Sequence, residues 1–166
     1  MFMFSLRGSL FFAMLILGVD YPATLPSESG MKKSVLFVCY GNACRSIMGE
    51  ALARHHWHDL LEVASAGLSA LGYVPEETTS VLEEIGVLTH GLYSKGLAEI
   101  EVDSFDLILD LLEYPLEKIM PPSFKGKVIH WHVIDPFSES LEAFRQTRDT
   151  IEWLVTEQLP KWVDGD

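Results

Sequence analysis

Residues 34–46 join a short apolar run to a loop that holds both cysteines of the chain. The run SVLFVC ends at Cys39, and the loop continues as YGNACRS to Ser46. Apolar residues without alternation predict a strand that is buried on both faces, as parallel strands are. From Ser46 to about His56, apolar residues recur at helical spacing. A buried strand that turns directly into a helix restricts the chain to a parallel sheet covered by helices.

The rest of the chain repeats this alternation. Further strands are predicted at residues 61–64, 105–109 and within 127–134, and helices at 75–86 and 138–159, where Pro160 is expected to end the last helix. This order predicts an α/β fold of three α/β/α layers with a central four-stranded parallel sheet. Ligands bind beyond the carboxyl ends of such strands, so the loop after Cys39 is the predicted site, with Asp110 and Asp135 nearby.

Charge and cysteine content exclude several classes of function. A net charge of −12 argues against nucleic acid and against an anionic membrane surface as partners of residues 31–166. Two cysteines cannot staple a disulfide scaffold, so we expect a reducing, cytoplasmic compartment. Cys39 and Cys44 lack the spacing of a zinc site and have no second pair downstream, so no metal is expected.

Residues 31–166 are expected to form one domain, and residues 1–30 are treated separately. The run LFFAMLILGV at residues 10–19 is too short to span a bilayer as a helix. We interpret residues 1–30 as a leader or a mis-called N-terminal extension. A signal peptide and a membrane-associating segment are the alternatives.

The loop after Cys39 has the residues that a phosphate site needs. Gly41 and Asn42 tolerate positive φ, so the turn can direct successive backbone N–H groups at one anion. Arg45 adds a planar fork that matches two phosphate oxygens. Such positive surroundings favour the thiolate of Cys39, which can attack phosphorus.

A leaving alkoxide or phenoxide needs a proton from an acid opposite the nucleophile. Asp135 is the best candidate because it follows a predicted strand and precedes Pro136, which stiffens its loop. Asp110 follows the third strand and is the competitor by position.

The loop VCYGNACRS and the later DPF resemble the low-molecular-weight protein tyrosine phosphatases. The segments SAG at residues 65–67 and HGLYSK at residues 90–95 lie between them in the expected order, and the resemblance runs from about Lys32 to Leu159. It implies a cofactor-free enzyme that hydrolyses phosphotyrosine in proteins through a cysteinyl-phosphate. It also implies a cytoplasmic protein that is a monomer or a weak homodimer.

The resemblance implies a role for each site residue. Cys39 would be the nucleophile, Arg45 the transition-state clamp, and Asp135 the general acid and then the base. The remaining phosphate-loop residues would be Tyr40, Gly41, Asn42, Ala43, Cys44 and Ser46.

Further implied roles concern the support of the loop. Asn42 would have a left-handed conformation, steadied by Ser46, Ser65 and His90. Cys44 could form a reversible disulfide with Cys39. Tyr40 and Phe137 would form the apolar walls of the pocket.

Three departures from the family pattern leave the substrate open. Ile47 stands where the family usually has proline, and the stretch DLLEYPLEKI after the third strand is atypical. Ala43 is small where a larger residue is common, so phosphoarginine stays an alternative to phosphotyrosine. The absence of cysteines after Cys44 excludes a thioredoxin-coupled arsenate reductase. An arsenate reductase that uses an external thiol and a phosphate-binding interaction module remain alternatives.

Overall fold

The computed structural model of the chain describes residues 32–163, so the predicted leader lies outside the described residues. Its sheet has four parallel strands: β1 (Lys33–Cys39), β2 (Leu61–Gly67), β3 (Leu107–Asp110) and β4 (Lys127–His130). Their order across the sheet is β2-β1-β3-β4. The predicted parallel sheet of four strands is therefore confirmed.

The α-helices of the described region are α1 (Arg45–Trp57), α2 (Glu76–Glu83), α3 (Leu141–Trp153) and the short α4 (Leu159–Val163). Helix α3 begins after Ser140, whose Oγ accepts a hydrogen bond from the N–H of Ala143 at 3.3 Å. This contact satisfies one of the donors that a helix start leaves free. No helix within residues 32–163 is long and apolar enough to cross a membrane.

The prediction that Pro160 ends the last helix is wrong. Helix α3 passes into a π-helical turn at Leu154–Gln158, and α4 then begins at Leu159. The N–H of Leu159 donates to the carbonyl of Leu154, five residues back. Pro160 therefore lies in the first turn of a new helical segment, where its missing N–H costs nothing.

Side chains of β1 point alternately into two apolar clusters. Val35 and Phe37 pack with residues of α1, α2 and α3 on one face of the sheet. Leu36 and Val38 pack on the other face against short 3-10 turns at Leu97–Glu99, Val102–Ser104 and Leu116–Ile119. All four strand side chains are fully buried, which explains the unbroken apolar run in the sequence. The predicted three layers are present, with 3-10 turns forming the second helical layer.

The strand register places three chain segments at one edge of the sheet. Cys39 pairs with Gly67 at the carboxyl ends of β1 and β2, and Val38 pairs with Asp110 at the end of β3. Helix α1 begins at Arg45, with only five residues between it and the end of β1. The predicted phosphate loop is therefore at the edge where parallel sheets bind ligands.

Candidate active site

The loop from Tyr40 to Cys44 closes tightly over the end of the sheet. Asn42 has a φ of 44°, the left-handed conformation expected from the resemblance. Gly67 lies directly beneath it, and a Cβ there would come within 2.7 Å of the backbone N of Asn42 and the backbone O of Tyr40. Only glycine allows the end of β2 to approach the loop this closely.

The side chain of Asn42 uses both ends of its amide to hold the loop. Its Nδ2 donates to Ser46 Oγ and to Ser65 Oγ, each at 2.8 Å. Its Oδ1 accepts from the backbone N–H of Lys95 at 2.7 Å. Asn42 is fully buried, so these bonds fix its strained backbone conformation from within. Ser46 and Ser65, the two serines expected beside Asn42, are thus both hydrogen-bonded to its side chain.

A buried ion pair continues this network away from the pocket. Ser65 Oγ donates to the carboxylate of Glu50, which is 1% exposed on α1. Lys95 Nζ lies 3.3 Å from the same carboxylate, and Arg54 pairs with its other oxygen. A buried carboxylate requires such countercharges. Glu50 and Lys95 therefore belong to the same network as Ser65, which holds Asn42.

The sequence-based account of this support was wrong at one residue and incomplete at two. His90 is exposed, and no described hydrogen bond joins it to Asn42. The backbone of Lys95, five residues later, supplies that contact instead. Glu50 and Lys95 were missed. Glu50 could have been found from the sequence, because it is a charged residue beside Ala51 on the apolar face of the predicted helix.

Cys39 ends β1 with its thiol against a serine hydroxyl. The side chain is almost fully buried, and Sγ lies 2.9 Å from Ser46 Oγ. Because Ser46 Oγ already accepts a hydrogen bond from Asn42, its own proton is available to Sγ. Ser46 can therefore donate a hydrogen bond to a thiolate at Cys39.

Cys44 occupies a different environment in the same loop. Burial raises the pKa of its thiol to about 12, and the charges of Asp135 and Cys39 add to this, whereas Thr78 and Arg45 act in the opposite direction. Both cysteines are free thiols. Cys44 is thus a neutral thiol at physiological pH, a weak nucleophile compared with a thiolate.

Arg45 is buried at the start of α1 and held by remote backbone. Its Nη1 donates to the carbonyls of Leu111 at 2.8 Å and Val133 at 3.3 Å. Its Nη2 donates to a carboxylate oxygen of Asp135. Its Nε is buried and has no partner among the described residues. An unpaired buried donor is costly, so an acceptor is expected to fill this position.

The loop backbone offers more unpaired donors. Within residues 32–163, the N–H groups of residues 40–44 donate to no protein acceptor. They precede a helix N-terminus whose dipole favours negative charge. Together with Arg45 Nε, these donors fit a tetrahedral oxyanion such as phosphate.

Asp135 lies at the mouth of the pocket, as predicted. Its side chain is 36% exposed, and Oδ1 accepts from the N–H of Phe137 at 3.2 Å. A cavity of about 230 Å³ is lined by Cys39, Arg45 and Asp135, with the other lining residues Tyr40, Gly41, Ala43, Cys44, Leu71 and Phe137. The predicted walls Tyr40 and Phe137 are therefore in place, and Leu71 is a wall that the sequence analysis missed.

Asp110 does not line this cavity. Its carboxylate is buried and accepts from the N–H groups of Leu112 and Leu116, each at 2.9 Å. His130 Nδ1 lies 3.2 Å from the same carboxylate. The competing acid is thus occupied in holding the loop after β3.

Comparison with known proteins gives a consistent family match. The family model described as "Low molecular weight phosphotyrosine protein phosphatase" matches residues 34–164. The protein-tyrosine-phosphatase Wzb of Escherichia coli K12 is 33% identical over 133 residues, which cover 74% of this chain and 90% of that relative. The glutaredoxin arsenate reductase of a Synechocystis strain is 30% identical over 131 residues, which cover 78% of this chain and 98% of that relative.

Solved structures give the same result. The tyrosine phosphatase Wzb of Escherichia coli K30, in complex with sulphate, superposes with a TM-score of 0.70 at 28% identity and covers 79% of this chain and 99% of that one. Relatives of this fold thus include both phosphatases and arsenate reductases.

Proposed function

This chain belongs to the low-molecular-weight phosphotyrosine protein phosphatase family, and we propose that it hydrolyses phosphotyrosine in proteins through a cysteinyl-phosphate. The observation that carries this proposal is the placement of Cys39, the unpaired Nε of Arg45 and the carboxylate of Asp135 around one cavity. A nucleophile, an oxyanion clamp and an acid are the groups that phosphate-ester cleavage requires.

In the first step the thiolate of Cys39 attacks phosphorus and the bond to the tyrosine oxygen breaks. Arg45 and the N–H groups of residues 40–44 bind the equatorial phosphate oxygens. Protonated Asp135 gives its proton to the leaving phenolate, so the product is neutral tyrosine.

In the second step the carboxylate of Asp135 takes a proton from water, which attacks phosphorus. The phosphorus–sulfur bond then breaks, inorganic phosphate forms, and the thiolate of Cys39 leaves. The hydrogen bond from Ser46 Oγ to Sγ stabilises the departing thiolate. No metal or other cofactor takes part in either step.

The walls of the cavity support an aromatic phosphate ester. Tyr40, Leu71 and Phe137 surround the entrance above Cys39, and all three are substantially exposed there. Apolar and aromatic walls bind a phenyl ring and exclude water from the reacting centre. We therefore expect phosphotyrosine-containing proteins as substrates, in the cytoplasm, with the enzyme acting as a monomer or a weak homodimer.

Arsenate reduction is the second candidate, and the similarity to a glutaredoxin arsenate reductase favours it. Reduction of arsenate to arsenite needs two electrons from thiols. Within this chain the only thiols are Cys39 and Cys44. Because the raised pKa of Cys44 keeps it a neutral thiol, an external low-molecular-weight thiol would have to attack the adduct on Cys39.

The test is hydrolysis of phosphotyrosine peptides and of an aryl phosphate by the full chain in the presence of a chelator. We expect turnover by the wild type and its loss in Cys39→Ser, with phosphate trapped on Cys39 after a rapid quench. Arsenate with glutathione and phosphoarginine are assayed in parallel. Substantial activity of Cys39→Ser would refute the mechanism, and faster turnover of arsenate or phosphoarginine would refute the substrate.

A further inference from the structure

A second groove opens beside the catalytic cavity. It has a volume of about 390 Å³ and shares Tyr40, Arg45 and Asp135 with the site described above. We call this second groove the side groove. The residues that line it but not the catalytic cavity are Leu68, Leu112, Glu113, Tyr114, Pro115 and Leu116. A substrate bound in the catalytic cavity would therefore have its neighbouring residues at the side groove.

The wall of the side groove is built into the fold. The buried carboxylate of Asp110 accepts hydrogen bonds from the N–H groups of Leu112 and Leu116, on either side of Glu113. Arg45 donates to the carbonyl of the preceding Leu111. The loop is thus attached to the catalytic arginine, and its conformation is set before any substrate binds.

Apart from the residues shared with the catalytic cavity, the side groove combines an apolar surface with one carboxylate, that of Glu113. Tyr114 is 80% exposed and Leu68 is 39% exposed, although both are large apolar side chains. Glu113 is exposed and takes part in no ion pair among the described residues. Among the lining residues the only basic one is Arg45, which is buried and committed to phosphate.

We propose that the side groove binds a lysine or arginine side chain adjacent to the phosphorylated residue of the substrate. Such a side chain has an apolar stem, which would lie on Leu68 and Tyr114, and a cationic end, which would pair with Glu113. The ring of Tyr114 adds a favourable contact with the cation. An acidic neighbour would instead be repelled by Glu113 and by the net charge of −12.

This inference rests on the proposed function, since it places the phosphorylated residue in the catalytic cavity. The test uses a set of phosphotyrosine peptides, each of which has a single lysine at a different position near the phosphotyrosine. Matched peptides have norleucine there, which keeps the four-carbon stem without the charge. We measure kcat/KM with the wild type, and affinity by calorimetry in the Cys39→Ser background, where binding does not depend on turnover.

We expect the lysine peptide to be preferred about fivefold at one position or more, because exposed ion pairs and cation–π contacts are each worth a small factor. Glu113→Gln should bring this ratio close to one. The matched control Glu62→Gln, which makes the same charge change near the amino end of β2, should keep the ratio of the wild type.

Equal use of lysine and norleucine peptides, preference for norleucine, or an unchanged ratio in Glu113→Gln would each overturn the proposal. Failure of the proposed function gives a different result. In that case the wild type hydrolyses none of the peptides, whereas the calorimetric preference for lysine still reports on the side groove.

Discussion

Arg45 and Asp135, which are 90 residues apart in sequence, form an ion pair, with Nη2 donating to Oδ2. A phosphate that binds Arg45 competes with Asp135 for the same guanidinium. A substrate phosphate on Arg45 would therefore release this carboxylate from its cation. Phosphate binding in the loop would thus determine whether the carboxylate of Asp135, the proposed acid, stays paired with Arg45.

The first prediction concerns Asp135. Asp135→Asn should slow phosphorylation of Cys39 by about 100-fold or more for phenyl phosphate and much less for nitrophenyl phosphate, because the better leaving group needs no proton. Rapid-quench measurements over a series of substituted phenyl phosphates give the dependence on the leaving group. Asp103→Asn, an exposed aspartate in a distant 3-10 turn, is the matched control.

An equal loss across the series would remove Asp135 from the role of general acid. Asp110→Asn should behave differently, since its carboxylate holds the N–H groups of Leu112 and Leu116. We expect it to lower thermal stability and to reduce all rates by a similar factor.

The second prediction concerns the ion pair beneath the loop. Lys95→Met leaves the buried carboxylate of Glu50 with only the half-exposed Arg54 as countercharge. We expect a loss of about 2 kcal/mol in the free energy of unfolding and a lower kcat, because the carboxylate that accepts from Ser65 is left buried without a full countercharge. Urea denaturation and aryl phosphate kinetics measure the two effects.

The double variant Lys95→Met with Glu50→Gln should recover part of that loss. Removing both charges eliminates the uncompensated carboxylate, and the amide oxygen of glutamine can still accept from Ser65. Lys125→Met, at an exposed lysine, is the control. Additive losses in the double variant would contradict a coupled network.

The third prediction concerns Gly67. Gly67→Ala would place a Cβ at 2.7 Å from backbone atoms of Asn42 and Tyr40, neither of which can move without opening the loop. We expect destabilisation by about 2–4 kcal/mol and a large loss of phosphate affinity. Gly96→Ala is the control, since the contact there is the flexible carboxylate of Glu99 at 3.1 Å. Comparable melting temperatures for the two variants would contradict this account.

The fourth prediction concerns the pH dependence of stability. The pKa of Cys44, about 12 in the folded protein, exceeds the ordinary thiol value of about 8.5 that applies to the unfolded chain. Above that value the folded state binds more protons than the unfolded state, so stability falls as pH rises. The slope contributed by Cys44 is at most about 1.4 kcal/mol per pH unit.

Cys44→Ala removes this titration. Its stability relative to the wild type should be constant from pH 6 to 8 and should improve from pH 8 to 10, as measured by urea denaturation under reducing conditions. A constant difference over the whole range would mean that the Cys44 thiol is not protected by burial. The loss of packing in Cys44→Ala does not depend on pH and leaves this trend intact.

The phosphate loop could be predicted from sequence because its parts are contiguous. Cys39, Gly41, Asn42 and Arg45 lie within seven residues, so the strand, the positive φ and the helix start follow from local preferences. The apolar run of β1 similarly predicted burial on both faces. Asp135 could be predicted to lie near this loop because the carboxyl ends of all parallel strands lie at the same edge of the sheet.

Other features depended on contacts between segments that are remote in sequence. Whether Asp110 or Asp135 faces the cavity is decided by the N–H groups of Leu112 and Leu116, which capture Asp110. Lys95 rather than His90 donates to Asn42 because the chain passes beside Asn42 at residue 95.

Sequence by itself determined the groups that we propose to bind and attack a phosphate, since those groups come from one strand–loop–helix segment. Only the tertiary structure decided which carboxylate lines the cavity, which buried charges support Asn42 and where the side groove lies. The physical reason is that hydrogen bonds and desolvation act between nearest neighbours in space, and for remote segments those neighbours are set by strand register and packing.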